Sequence, residues 1–136
     1  MLNQTGVKVT HGTTRKTILV DEMNSTALSC MVANTGVTAD SSTGKKIVKA
    51  GTPLAGSLLA RGTAFTVAKD TAGSDGAPTT SDAVGILLHD VDVTAGTANA
   101  QVVIFGFIDV SKLDSDVVTK LTDAAKSNLK MIQFVK

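Results

Sequence analysis

Two apolar segments decide the fold: residues 83–93, AVGILLHDVDV, and residues 100–110, AQVVIFGFIDV. Each is rich in Val, Ile and Phe, which favours β-strands. The connection between them, TAGTAN at 94–99, has six residues, a length and composition that predict an antiparallel hairpin. Gly106 inside the second segment predicts a β-bulge or a close backbone approach.

The rest of the chain predicts shorter strands and two loops. Strands are expected at IVKAG (47–51), FTVA (65–68) and LKMIQFVK (129–136). Residues 34–46 and 69–82 are rich in Gly, Ser, Thr and Asp, which predicts loops.

Two segments near the N-terminus each fit more than one kind of local structure. Residues 18–22, ILVDE, fit a strand or a strand end. Residues 26–33 fit a short helix capped by Asn24 or Ser25, but their alternation also fits a strand. Residues 1–17, which are polar and rich in Thr, predict an extended arm.

One helix is expected at 114–128, DSDVVTKLTDAAKSN. Asp114 is a good N-cap, and the negative charge of Asp116 suits a helix N-terminus. Five apolar residues form one stripe at helical spacing: Val117, Val118, Leu121, Ala124 and Ala125. The sequence therefore predicts a single mainly β domain with one helix over 18–136, preceded by the arm.

Composition excludes several classes of function. The chain has 136 residues, enough for one domain, and 43% hydrophobic against 18% charged residues, as in folded soluble proteins. A net charge of +1 and the absence of Trp and Tyr argue against direct nucleic-acid binding. No apolar run approaches the roughly 18 residues of a membrane span. The N-terminus lacks the apolar core of a signal peptide, so we expect synthesis in a cytoplasm and no membrane partner.

Catalytic and metal-binding motifs are not found in the sequence. There is no phosphate-binding loop, no pair of cysteines, no H-E-x-x-H and no G-x-S-x-G. Cys30 lies in an apolar run and is interpreted as a buried, unreactive thiol. Asp70, Asp75 and Asp82 share a loop without calcium-site spacing. We therefore expect no metal, no cofactor and no enzymatic activity.

His89, Asp90 and Asp92 are the remaining candidates for chemistry. Side chains alternate along a strand, so a regular strand would place His89 and Asp90 on opposite faces. Asp90 and Asp92 would share a face about 6–7 Å apart, as at any D-x-D strand end. We interpret these three residues as candidate subunit contacts rather than as a catalytic pair.

The order of several segments is similar to that of a known family. KAGTPLAGSLL (49–59), then a loop, SDAVGILLHDVDV (81–93) and QVVIFGFIDVSKL (101–113) resemble the lambda-type head decoration proteins of tailed bacteriophages. Thr52-Pro53-Leu54 and Ala83 to Leu87 carry the strongest likeness. The resemblance covers about residues 45–113.

This resemblance implies a fold, a partner and a location. The fold would be a β-clip-like bent ribbon closing into an incomplete barrel. Homotrimers would sit on the outer surface of the virion at three-fold and quasi-three-fold positions and stabilise the head against DNA pressure. The N-terminal arm would contact the major capsid protein, and the candidate capsid contacts are Val7, Lys8, Val9, Thr10 and His11.

Two alternatives remain open at this point. Residues 47–59 also resemble sugar-acid-binding and antifreeze-like β-clip domains, which would make the chain a small ligand-binding module. Another virion component, such as a head–tail or tail protein, is the second alternative.

Overall fold

The computed structural model describes residues 17–136 of the chain. Strands account for 36% of it and helices for 12%, and the sheets are open rather than closed. The expected mainly β class is therefore confirmed. The predicted arm lies outside the described residues, apart from Thr17.

Ten strands and two α-helices follow one another along the described chain. The strands are β1 (Thr26–Val32), β2 (Ile47–Val48), β3 (Pro53–Ala55), β4 (Thr66–Val67), β5 (Asp70–Thr71), β6 (Thr80–Ser81), β7 (Ala83–Leu87), β8 (Val91–Asp92), β9 (Ala98–Asp109) and β10 (Ile132–Val135). The helices are a 3-10 turn (Val110–Lys112), α1 (Ser115–Lys120) and α2 (Asp123–Asn128).

The main sheet is built around the long strand β9. Its order is β10-β9-β7-β3-β4, and β1 also pairs with β9. All of these pairs are antiparallel except β9 with β10. Two small ladders, β2 with β8 and β5 with β6, lie outside this sheet. Residues 26–33, for which the sequence left helix and strand open, therefore form a strand.

The predicted hairpin forms, but its first strand is divided. Leu87 pairs with Val102 and Ile86 with Val103, in the expected antiparallel sense. The ladder then stops, and β8 pairs with β2 instead of with β9. The prediction of one strand through residue 93 was wrong at 88–90, because the chain there turns to bring Val91 into the core beside β2.

Gly106 allows the close backbone approach that the sequence predicted. Its φ is +143°, and a Cβ at this position would lie 3.0 Å from the Cβ of Ser25. The register between β1 and β9 also shifts between Val103 and Phe105. Glycine therefore lets the turn before β1 pack directly on β9.

The single helix predicted at 114–128 is two short helices. The backbone leaves the helical region at Leu121, whose ψ is 69°. The hydroxyl oxygen of Thr122 accepts a hydrogen bond from the Ala125 amide at 3.1 Å and caps α2. Val118, a member of the predicted apolar stripe, is 38% exposed on α1. Asp114, the predicted N-cap, makes no side-chain cap bond.

The core consists of two clusters on the two sides of the structure. One lies under α1 and α2 and includes Ile18, Ile108, Val117, Leu121 and Ile132. The other lies between β1, β3, β7 and β9 and includes Val32, Leu54, Phe65, Leu87 and Val102. Burying each such side chain stabilises the fold by roughly 1.5–3 kcal/mol.

A small exposed ladder interrupts the loop predicted at 69–82. Asp70 pairs with Ser81 and Thr71 with Thr80, and the residues from 69 to 80 are exposed. Asp75 at the tip has a φ of +53°, a turn conformation that Asp tolerates better than most residues. The segment is therefore a hairpin that stands out from the main sheet.

Candidate functional site

The predicted capsid-contact residues cannot be placed. Val7, Lys8, Val9, Thr10 and His11 all lie outside the described residues. The predicted subunit-contact residues, His89, Asp90 and Asp92, are described, and they lie at the point where the strand is divided.

Asp90 and Asp92 do not share one strand face. The Oδ1 atom of Asp90 accepts a hydrogen bond from the Ala50 amide at 2.7 Å. Asp92 instead bonds the Thr94 amide, with an N–Oδ1 distance of 2.9 Å. The shared-face expectation fails because residues 88–90 are not in a strand, and each carboxylate holds a different piece of backbone.

The Asp92 carboxylate is stabilised in its charged form. Hydrogen bonds from the hydroxyl and then the amide of Thr94 lower the pKa of Asp92, and the nearby charge of Lys45 acts in the same direction. A carboxylate held in this way is a local turn-stabilising group, of the Asx type.

An open groove of about 870 Å³ brings together side chains that are distant in sequence. Cys30, Arg61, His89 and Asp90 all line it. Arg61 is held over strand β1, because its Nη1 donates to the Ser29 carbonyl at 2.8 Å. No sequence motif predicts this grouping, because it depends on β1 and the 88–91 segment both meeting β9.

Cys30 lacks the properties of a nucleophile in this groove. Burial raises its pKa, and the opposing effect of the Arg61 charge is smaller. Its exposed fraction is only 5%. Reactive cysteines need a lowered pKa and access to solvent, so the interpretation of Cys30 as a core residue agrees with its surroundings.

A second cavity, of about 600 Å³, is bordered by an ion-pair cluster. Lys49 Nζ lies 3.3 Å from an Asp114 carboxylate oxygen and 3.1 Å from one of Asp116. These contacts raise the pKa of Lys49, with the hydrogen bond to Asp116 as the largest cause. The ion-pair cluster links the start of α1 to the β2–β3 connection. Because the cluster is exposed, it contributes at most about 1 kcal/mol to the free energy of unfolding.

Among residues 17–136, no group of three or more His, Cys, Asp or Glu side chains is placed to hold a metal ion. None of the helices in the described part of the chain has the length and hydropathy needed to cross a membrane.

The two segments that carry the family resemblance lie side by side. Pro53 of β3 pairs with Ile86 of β7, and Leu54 with Gly85. The Thr52 carbonyl accepts from the Leu87 amide at 2.9 Å, and the buried Thr52 hydroxyl donates to the Lys49 carbonyl at 2.7 Å. These residues form the centre of the main sheet.

An exposed apolar patch covers the outer side of β9 and β10. We call it the β9–β10 face, and its members are exposed by 38–62%: Val20, Phe105, Phe107, Met131 and Val135. The sequence carried a signal for it, since FGFID in β9 is apolar at alternate positions whose neighbours Gly106 and Ile108 are buried. Both sides of this strand are apolar at 105–108, and the side that carries Phe105 and Phe107 is the exposed one.

Comparisons with known proteins leave the family open: no protein-family model matches the chain, and a search of curated proteins finds no significant match.

Proposed function

We propose that the chain is a structural virion protein that binds the outer surface of a phage capsid as a homotrimer. It would sit at three-fold and quasi-three-fold positions and stabilise the head against the pressure of packaged DNA. The major capsid protein is the partner in this proposal.

The observation that carries the proposal is the pairing of the two family-like segments. Thr52 to Leu54 and Ala83 to Leu87, which are far apart in sequence, are adjacent at the centre of an open sheet. Likeness in segments that build one structural unit is better support than likeness in scattered segments. The resemblance implies a mainly β fold, and the mainly β structure with open sheets supports the proposal at that level.

The local chemistry is compatible with a structural role. Asp90 and Asp92 bond backbone amides, and Cys30 is buried with a raised pKa. A protein that reinforces a shell needs a stable domain and surfaces that repeat by symmetry. Many weak contacts on one lattice then add to tight attachment.

The test uses the full chain and shells of the major capsid protein that the proposal names as its partner. Capsid shells are incubated with the chain, sedimented and analysed for bound copies per capsomer. We expect saturable binding at three copies per three-fold position. Failure of the full chain to sediment with the shells would refute the proposed function.

The contribution of the arm is tested with a truncated chain lacking residues 1–17. We expect both this chain and the full chain to unfold cooperatively on heating, and the truncated chain to leave the capsids undecorated. A chain with the same 17 residues in scrambled order controls for length and composition and should also fail to bind. Saturation of capsids by the truncated chain would show that the arm is not the main contact.

The ligand-binding alternative is tested by thermal unfolding with a sugar acid such as N-acetylneuraminate. A ligand that binds only the folded chain raises its unfolding temperature as concentration increases. The decoration proposal expects no such shift, and a saturable shift would favour the ligand-binding module.

A further inference from the structure

The β9–β10 face is bounded on two sides by different segments. Gly106 donates its amide to the Met131 carbonyl, at 3.2 Å, and Asp109 donates to the Ile18 carbonyl, at 2.9 Å. Amides three residues apart on a strand point to opposite sides. The segment Ile18–Val20 and strand β10 therefore flank β9 on opposite sides.

Register places the exposed apolar side chains together. Phe107 pairs with Gln133, and Asp109 with Val135, so these positions share one side of the sheet. Val20 joins the same row, because its amide donates to the Phe107 carbonyl at 3.0 Å. The other side of the same strands is buried against α1 and α2 through Ile108 and Ile132.

The composition of the face is that of a protein interface. The chain has four aromatic residues, all Phe, and two of them, Phe105 and Phe107, are exposed here. Aromatic and Met side chains are enriched at the centres of interfaces, and contiguous exposed apolar patches mark contact sites. Leu59 and Val118 are also exposed, but they lie on other elements.

The two margins of the face carry opposite charge. Asp21 and Glu22 directly follow Val20 on one margin, and Lys130 and Lys136 stand at the two ends of β10 on the other. Hydrogen bonds from the Asn24 side chain and the Met23 amide lower the pKa of Asp21, so its carboxylate is charged at neutral pH. A partner for this face must be apolar at its centre, basic on one margin and acidic on the other.

We propose that the occupant of the β9–β10 face is the same face of another copy of this chain. The copies would be arranged about a symmetry axis that runs parallel to β9. The inference rests on the self-association included in the proposed function and assigns it to a surface. It differs from the sequence-based expectation, which gave His89, Asp90 and Asp92 as subunit contacts.

Cyclic symmetry accounts for the charge arrangement. Around an axis parallel to the strands, one margin of each copy meets the opposite margin of the next copy. This holds for any number of copies. The acidic margin therefore always meets the basic margin, and the Phe side chains point toward the axis. With three or more copies these contacts are heterologous and close into a ring, and opposite charges at the rim favour this arrangement over others.

The first test compares two valines of equal exposure. Val135 lies on the face and Val118 lies on α1, and each is 38% exposed. Association of the full chain is measured by sedimentation equilibrium. We expect Val135→Asp to weaken association about tenfold or more and Val118→Asp to leave it unchanged.

Phe107→Asp and Met131→Glu extend this test to the centre of the face. Met131 is 62% exposed, so its substitution keeps the test valid if a change at Phe107 prevents folding. The inference is overturned if the wild-type chain is monomeric, if folded variants of the face associate like wild type, or if Val118→Asp has the same effect.

The second test exchanges the charges of the margins. Glu22→Lys and Lys130→Glu should each weaken association, because like charges would then meet at every contact between copies. The double variant restores opposite charges and should recover most of the loss. A double variant whose loss equals the sum of the two single losses would contradict the proposed pairing.

These measurements are made without capsids, so they separate the two proposals. Self-association through another surface, together with capsid binding, would overturn this inference and leave the proposed function standing. Self-association through this face without capsid binding would refute the proposed function and leave this inference standing.

Discussion

At the scale of single residues, carboxylates and hydroxyls hold the backbone where the main sheet changes direction. Asp90 accepts from the Ala50 amide at 2.7 Å, and Ala50 is only 3% exposed. The Thr52 side chain is fully buried and donates to the Lys49 carbonyl. The backbone around Pro53 is therefore held at two points. One is the turn that precedes Pro53, and the other is the segment that follows β7.

Removal of the Asp90 side chain should destabilise the fold. Asp90→Ala leaves a buried amide without its acceptor, which costs about 1–3 kcal/mol in the free energy of unfolding. Asp90→Asn keeps an oxygen that can accept this bond and should lose less. Urea unfolding of both variants checks this, and a change within about 0.5 kcal/mol for Asp90→Ala would show that the bond is unimportant.

At the scale of elements, strand β7 approaches β9 more closely than a side chain allows. A Cβ at Gly85 would lie 2.3 Å from Cγ2 of Val102 and 2.8 Å from the backbone oxygen of Val103. The backbone oxygen cannot move aside without disturbing the sheet. Gly85 thus sets the spacing between the two strands on which the fold depends.

Substitution of Gly85 by Ala should destabilise the protein by about 1–3 kcal/mol through overpacking. Gly62 is the matched control, because nothing lies within 4 Å of a Cβ there and its φ is not in the left-handed region. We expect Gly62→Ala to change the free energy of unfolding by less than about 0.5 kcal/mol. Similar losses at both positions would argue against crowding as the cause.

Elements of strong local character could be predicted from the sequence, and their interruptions could not. The segments 83–87 and 100–109 are strands because their composition requires it. The break at 88–90 depends on β2, about 40 residues earlier in the chain, which pairs with β8. The break between α1 and α2 depends on whether Thr122 caps or continues a helix, which only the packing of Leu121 in the core decides.

The candidate site, likewise, could be predicted from the sequence only in part. The apolar part of the β9–β10 face could be predicted, since FGFID is apolar on both sides of the strand. The charged margins could not be predicted, because they come from a segment near residue 20 and from a strand near residue 133. The groove that Cys30 and His89 share likewise depends on long-range pairing through β9.

At the scale of the whole molecule, stability should depend on pH through several surface carboxylates. Hydrogen bonds from neighbouring side chains and amides lower the pKa of four groups: Asp21, Asp40, Asp92 and Asp109. Each binds fewer protons when folded than when unfolded near the ordinary carboxyl value of 3.8. Their contribution is therefore present above this pH and is lost as pH falls through the lowered values.

We expect the urea midpoint to be steady from neutral pH down to about the ordinary carboxyl value and to fall below it. The double variant Asp92→Asn with Asp109→Asn keeps oxygen acceptors but cannot titrate at these positions. Its midpoint should fall less steeply with acid than that of the wild-type chain. An unchanged acid dependence would assign the effect to other groups.

The parallel pairing of β10 with β9 also has a consequence for the order of events during synthesis. β9 leaves the ribosome before the two helices and before β10, yet Ile108 shares its buried cluster with Val117 and Ile132, which are made later. A nascent chain that ends before β10 therefore exposes apolar surface on both sides of β9, the state in which chains most readily aggregate. Because β10 is the last strand in the chain, its pairing with β9 is the last pairing of the main sheet that becomes possible during synthesis.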